Sequence, residues 1–300
     1  MRLAIGYQLS AIDHRPSTHL EALRMIGLVL IDVDGTLYGP GGVPECAWQA
    51  AARARAAGVR LALCTGRPGR GFALEYARRL DPEGFHIFES GAVVVAGDGR
   101  PVHTRSLGLG AYRALLGLSR AHLIPFEVYT AEGGFFIEQT HPDLETHQLM
   151  LGFPAEVRPL DEPPGTVIRV QYVAPVGTLW DTVRAEVRQV AGAELHEATS
   201  PGMPGVIFSS VTAQGVSKLS AAAWVAERYG LGLEGCAMVG DGENDLELIL
   251  AAGLGVAMGN APDAVKLRAD RVVGRVEDCG LAEALEAALA TRAAPGEGPR

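Results

Sequence analysis

The sequence predicts an α/β fold: a parallel sheet layered with helices and interrupted by an inserted α+β unit. Three observations predict it. Apolar runs at 28–31, 59–64, 236–239 and 255–258 alternate with helix-length segments, and such runs suit strands buried on both faces. Three of the runs end in polar turn formers: Asp32-Val33-Asp34-Gly35, Thr65-Gly66-Arg67 and Gly240-Asp241-Gly242-Glu243-Asn244-Asp245. Between 107 and 211 the pattern changes to hairpin signals with two helix-like segments.

Bulk properties narrow the function. The chain has 300 residues, 48% of them hydrophobic, enough for one large domain or two modest ones. Its net charge of -9 argues against a general nucleic-acid or anionic-membrane binder, which would carry a basic face. No stretch reaches the length of a membrane span, and no sustained apolar run follows the N-terminus as in a secretory signal. A cytoplasmic protein is expected. Cys46, Cys64, Cys236 and Cys279 show no CxxC spacing and read as free buried thiols. Residues 1–24 read as a loosely held extension, with Met25 as a second candidate start, and 293–300 as a disordered tail.

The elements follow in order. The first strand, 28–31, runs into Asp32 and Asp34. Two residues apart on an extended backbone, these carboxylates point the same way, and Gly35 permits a sharp turn beyond them. In open α/β sheets ligands bind at the carboxyl ends of the strands, so two like charges stand where a ligand would sit. A cation or a shared proton must relieve them. Alternatively, Asp and Gly merely close a core strand. A Gly/Pro-rich loop at 38–44 precedes a helix over 45–57 that Gly58 stops. The strand at 59–64 ends in Thr65-Gly66, which offers a hydroxyl and backbone N–H groups to an anion, although Thr-Gly is also a common turn. A helix follows over 71–80, then a short strand at 86–88 ending in Glu89-Ser90-Gly91-Ala92, and a hairpin over 93–103.

The inserted unit, 107–211, reads as helices at 111–121 and 179–190, a hairpin over 126–138, strands at 166–173 and 206–211, and Pro-rich breaks at 159–164 and 201–204. Its histidines, His122, His141, His147 and His196, lack metal-ligand spacing and are expected outside the site. Arg105, Arg158 and Arg169 offer cations to a distal anion of a substrate, but surface or salt-bridged roles are the plainer reading. The βα pattern then resumes. Ser217 suits a helix N-cap, which puts Lys218 in the first turn, where a cation is unfavourable unless an anion lies nearby. A solvated surface lysine is the plainer alternative. Strands at 236–239, 255–258 and 271–273 and helices at 246–252, 263–267 and 281–290 complete the chain.

Four signals therefore occur in one order: DxDGTL at 32–37, TGR at 65–67, GVSK at 215–218 and GDGEND at 240–245, followed by GVAMGNAPDAVKLRAD. Together they resemble the haloacid dehalogenase superfamily, in particular its Cof-like branch; sucrose-phosphate and mannosyl-3-phosphoglycerate phosphatases are similar relatives. The resemblance covers 26–106 and 212–290. It implies a Rossmann-like catalytic core over 25–106 and 212–292 with a C2-type cap over 107–211. It implies Asp32 as nucleophile, Asp34 as general acid and base, and Lys218 as the charge-stabilising lysine. Thr65, Gly66, Asn244 and Ser90 would bind substrate. Mg²⁺ would be held by Asp32, the Asp34 carbonyl and Asp241, with Asp245 behind them positioning Lys218 or a metal-bound water. Ser90 stands where the branch often has asparagine, and no role follows for Arg67. The implied activity is Mg²⁺-dependent hydrolysis of a small phosphorylated metabolite, by a monomer or homodimer. A phosphotransferase or phosphomutase on the same scaffold, and a non-catalytic regulator, are the alternatives.

Overall fold

The computed structural model describes residues 25–199 and 202–292. The expected extension at 1–24, the tail at 293–300 and the start of the Pro-rich break at 201 lie outside the described residues. The first half contains β1 (Leu28–Ile31), α1 (Glu45–Ala56), β2 (Arg60–Leu63), α2 (Gly71–Leu80), β3 (Phe85–Phe88), β4 (Val93–Ala96) and β5 (Pro101–Thr104). The middle contains α3 (Leu109–His122), β6 (Phe126–Thr130), β7 (Phe135–Ile137), α4 (Pro142–Leu151), β8 (Glu156–Val157), β9 (Val167–Pro175), α5 (Thr178–Val187), β10 (Ala193–Thr199) and β11 (Val206–Ala213). The last part contains α6 (Lys218–Arg228), β12 (Cys236–Gly240), α7 (Leu246–Ala251), β13 (Leu254–Ala257), α8 (Asp263–Lys266), β14 (Arg271–Val272) and α9 (Gly280–Ala290).

The core is a five-stranded parallel sheet in the order β14-β13-β12-β1-β2. Strand β1 is wholly buried because both faces are covered. Leu28 and Leu30 pack with Ala221 and Val225 of α6, while Val29 and Ile31 pack with Ala47 and Ala54 of α1 and Leu285 of α9. That two-sided burial explains why the strand reads as an unbroken apolar run. Strand β3 joins the antiparallel β3-β4-β5 sheet and touches the core sheet through one bridge, Cys64 with Ile87.

The middle segment folds as a six-stranded sheet in the order β10-β11-β9-β6-β7-β8, with α3 and α5 on one face and α4 on the other. The α/β core with an inserted α+β cap matches the expectation. Helix α4 and strand β10 had no counterpart in the sequence reading. Helix α4 starts on His141, whose ring accepts the Asp143 N–H, and stops at Gly152 in the left-handed region. Two of the four cysteines correct the expectation of free thiols: Cys46 and Cys279 form a disulfide, with Cα atoms 6.1 Å apart, whereas Cys64 and Cys236 are free and buried. Helices α1 and α9 lie side by side, which brings together residues 233 positions apart. Among the described residues no helix is long and apolar enough to cross a membrane.

Candidate active site

The strand tips converge. Asp32 and Asp34 follow β1, Thr65 follows β2, and Asp241 to Asp245 follow β12, three adjacent strands of one parallel sheet. Lys218 reaches them from the first turn of α6. Its helix begins with a reciprocal cap: Ser217 Oγ accepts the Ser220 N–H at 3.0 Å, and Ser220 Oγ accepts the Ser217 N–H at 3.1 Å. Gly91, with φ of +105°, lies where a Cβ would be 2.2 Å from the Ser217 carbonyl oxygen, so only glycine lets this helix start approach so closely.

Lys218 is 4% exposed, which excludes the surface reading. Its Nζ donates to Asp32 Oδ1 at 2.7 Å and to Asp245 Oδ1 at 2.6 Å. Burial alone would lower the affinity of Lys218 for its proton, but Asp32 and Asp245 more than offset this and hold the ammonium above its ordinary range. Burial pushes the Asp32 carboxyl up to about 7, with Lys218 opposing the shift. Asp241 is pushed up to about 6 by burial and by the nearby Asp245 charge.

The other oxygen of Asp245 accepts the N–H groups of Asp241 at 3.2 Å and Gly242 at 3.0 Å. Asp245 is thus fully engaged, one oxygen on the lysine and one on the loop. Oxygens of Asp32, Asp241 and Asp245 lie within 4.8 Å of one another. Such crowded hard donors fit a small divalent cation such as Mg²⁺. Since Asp245 is engaged elsewhere, Asp32 and Asp241 are the carboxylates free to hold it.

Asp34 is exposed at the mouth of the site, where Arg67 grips it with Nε to Oδ2 and Nη2 to Oδ1, both at 2.6 Å. The Arg67 guanidinium also lies 4.5 Å from the centre of the Phe72 ring. Thr65 is buried and its Oγ1 accepts the Arg67 N–H. A cavity of about 570 Å³ opens above these groups. Asp32, Asp34, Thr65, Gly66, Asp241 and Asn244 all line it. Lys218 lies beneath, behind Asp32. Ser90 is not brought into that lining; its backbone N–H donates to the Thr65 carbonyl and steadies the loop.

Sequence reasoning missed Asn260 and His147 and ranked a site role for Arg169 second. Asn260, just after β13, donates to the Gly35 carbonyl at 2.8 Å and to Asp241 Oδ2 at 2.9 Å, and so orients a candidate metal ligand. Its signal was its place after another strand tip. His147, expected outside the site, and Arg169, read first as a surface or salt-bridged residue and second as a binder of a distal anion, line the cavity from the cap; Arg169 is indeed salt-bridged, to Glu89. Their signal was weak, because isolated basic residues in an α+β segment usually face solvent.

The comparisons agree with this arrangement. The haloacid dehalogenase-like hydrolase family matches residues 29–285. The chain is 28% identical to YxeH of Bacillus subtilis over 250 residues, 79% of this chain and 88% of that protein. It is 44% identical over 75 residues to the 5-amino-6-(5-phospho-D-ribitylamino)uracil phosphatase YcsE of the same organism, a match spanning 25% of this chain and 30% of that relative. A solved phosphatase of the haloalkanoate superfamily from Bacteroides thetaiotaomicron superposes with a TM-score of 0.75 at 23% identity, covering 91% of this chain and 99% of that one. With its four motifs gathered at the tips of one parallel sheet and the family match running nearly end to end, this chain belongs to the haloacid dehalogenase-like hydrolases, in their Cof-like branch.

Proposed function

We propose that the protein is a phosphatase that hydrolyses a small phosphate monoester, a sugar phosphate or related metabolite, through an aspartyl-phosphate on Asp32. The observation that carries this reading is the buried Lys218 ammonium bridging Asp32 and Asp245 directly below a cavity edged by Asp34 and Asp241. Asp32 attacks phosphorus as the bond to the leaving oxygen breaks, and Asp34 delivers the proton that oxygen needs. Asp34, now ionised, takes a proton from water. That water attacks phosphorus, releases inorganic phosphate and restores Asp32. Lys218 and Thr65 face the charge that builds on the phosphoryl oxygens. Asp32 and Asp241, with the Asp34 carbonyl, are the oxygen donors for Mg²⁺, which would supply further positive charge against the phosphoryl group. Arg67 binds Asp34 in its ionised form, so that contact must open before Asp34 donates a proton.

Phosphate release from a panel of phosphorylated metabolites, with and without Mg²⁺, tests the reading on wild type and Asp32→Asn. Mg²⁺-dependent release that disappears in the variant is the expected outcome. Release that survives the substitution unchanged overturns the mechanism.

A further inference from the structure

The roof of the cavity is made by the inner face of the cap sheet, where a polar row lies beside the apolar Tyr129, Val173 and Phe208. Strand pairing sets Glu127 of β6, Gln171 of β9, Ser210 of β11 and His196 of β10 in one row across four strands. Gln171 Nε2 donates to Glu127 Oε2 at 2.8 Å, and Ser210 Oγ donates to Gln171 Oε1 at 2.8 Å. Beside this row, Arg169 Nη1 reaches Gln171 and Ser210, its guanidinium lies 3.9 Å from the centre of the Tyr129 ring, and its Nε lies 2.6 Å from Glu89 Oε2. His147 of α4 places Nδ1 2.8 Å from Glu127 Oε1. Glu127 and Glu89 are almost fully buried. Buried polar side chains cost free energy that a purely structural cap sheet would avoid with apolar residues.

The charge balance of the cavity is specific. Both basic side chains that line it from the cap already face a carboxylate: Arg169 faces Glu89, and His147 faces Glu127. Below them Lys218 is shared by Asp32 and Asp245. The phosphoryl group has Lys218 and the cation that Asp32 and Asp241 would hold. Among the described residues that line the cavity from the cap, no basic side chain is left to neutralise a second anionic group, while Arg169 and His147 supply hydrogen-bonding edges held in place by their partners. Apolar side chains of Met150, Leu151 and Ala198 complete the roof.

We propose that Arg169 and His147, pinned by Glu89 and Glu127, are specificity-determining residues that select a neutral, hydroxyl-rich leaving group and reject one carrying a second negative charge. The proposal rests on the phosphatase reading. Hydroxyl oxygens accept from the Arg169 and His147 N–H groups without a change in net charge, whereas a carboxylate entering the same space meets the Glu89 and Glu127 carboxylates behind them, with the Arg169 guanidinium already paired to Glu89.

Matched substrates test it: glycerol 3-phosphate against 3-phosphoglycerate, and sorbitol 6-phosphate against 6-phosphogluconate, each pair differing by a terminal CH₂OH or carboxylate. Assays run at pH 8, because burial pushes Glu89 up to about 7 and the carboxylate must be ionised. The readout is the ratio of kcat/KM within a pair. In wild type the polyol is expected to be favoured by about tenfold or more. Glu89→Gln leaves the Arg169 guanidinium without its carboxylate, and should move the ratio toward the carboxylate substrate by about tenfold, mainly through KM. Glu127→Gln serves as the second variant if Glu89→Gln does not fold, with the same direction expected. A loss of packing alone would lower the melting temperature and the turnover of both substrates without moving their ratio. A wild type that prefers the carboxylate substrate, or a ratio unmoved in a folded variant, overturns the inference. So does turnover of p-nitrophenyl phosphate with neither pair hydrolysed, which leaves the phosphatase reading intact. Absence of phosphate release from every compound, p-nitrophenyl phosphate included, overturns both.

Discussion

Replacing Asp245 by asparagine removes one negative charge from the centre of the site while keeping the side chain's shape. In the native arrangement one Asp245 oxygen accepts from Lys218 and the other from two backbone N–H groups. The asparagine amide offers only one acceptor. Turned either way, its NH₂ group faces a donor, the ammonium or the loop. A charge-assisted hydrogen bond contributes about 1.5–3 kcal/mol, and breaking a buried ion pair by removing one partner costs about 3–5 kcal/mol. Lys218 keeps Asp32 as a second partner, so the lower end applies, about 3 kcal/mol of stability measured by urea unfolding. Activity should fall by about 10²-fold in kcat, since the lysine loses one of its two anchors against the developing phosphoryl charge. Because Asp245 is engaged away from the candidate metal position, the Mg²⁺ concentration giving half-maximal activity should move little. Titration of phosphate release with Mg²⁺ reads both quantities. If that concentration rises about tenfold or more and excess Mg²⁺ restores kcat, Asp245 is a metal ligand and the role assigned to it here is refuted.

Further outcomes follow from other features. Gly35 has φ of +75°, and a Cβ there would lie 2.0 Å from Asp241 Oδ2. Gly35→Ala should therefore displace Asp241 and lower phosphate release by about 10²-fold, with the protein still folded by circular dichroism; wild-type activity would contradict the placement. The Cys46–Cys279 disulfide closes a loop of 233 residues, for which chain entropy gives about 5 kcal/mol of stabilisation. Reduction should lower the urea midpoint, and the unreduced, denatured protein should show two titratable thiols, not four. His86 is buried, accepts the Leu63 N–H on Nδ1 and lies with Nε2 2.9 Å from the Asp81 carbonyl, and burial lowers its pKa from 6.5 to about 4. Its contribution is present above pH 6.5 and is lost as pH falls toward 4, about 3 kcal/mol across that window. His86→Gln, which cannot charge, should show a smaller stability difference between pH 7 and pH 4.5 in urea unfolding than wild type does.

The core and its site were legible because the chemistry interrupts the hydrophobic pattern. Asp32, Thr65 and Asp241 stand where apolar strand runs stop, and Lys218 follows a serine cap at a helix start, so position and residue type point the same way. The cap resisted for physical reasons. Helix α4 buries little more than Leu144 and His147, so it lacks the apolar stripe that marks an amphipathic helix. Arg169 and Gln171 alternate with Ile168 and Val170 like residues on a solvated strand face, yet here that face looks onto a buried polar network. Arg67 had no readable role because its partner Asp34 lies 33 residues away on a neighbouring strand tip. The disulfide escaped because nothing in the spacing of Cys46 and Cys279 shows that α1 and α9 are neighbours.

The same disulfide makes most of the molecule a covalent ring. The cap lies inside it, since its strands and helices all fall between residues 46 and 279. One protease nick anywhere along that arc, an exposed cap loop included, opens the ring without dividing the molecule. Nicked protein would migrate as one species on a denaturing gel and separate into two fragments only after a reductant is added. Damage to the cap of this enzyme would thus escape a size-based purity check made without reduction.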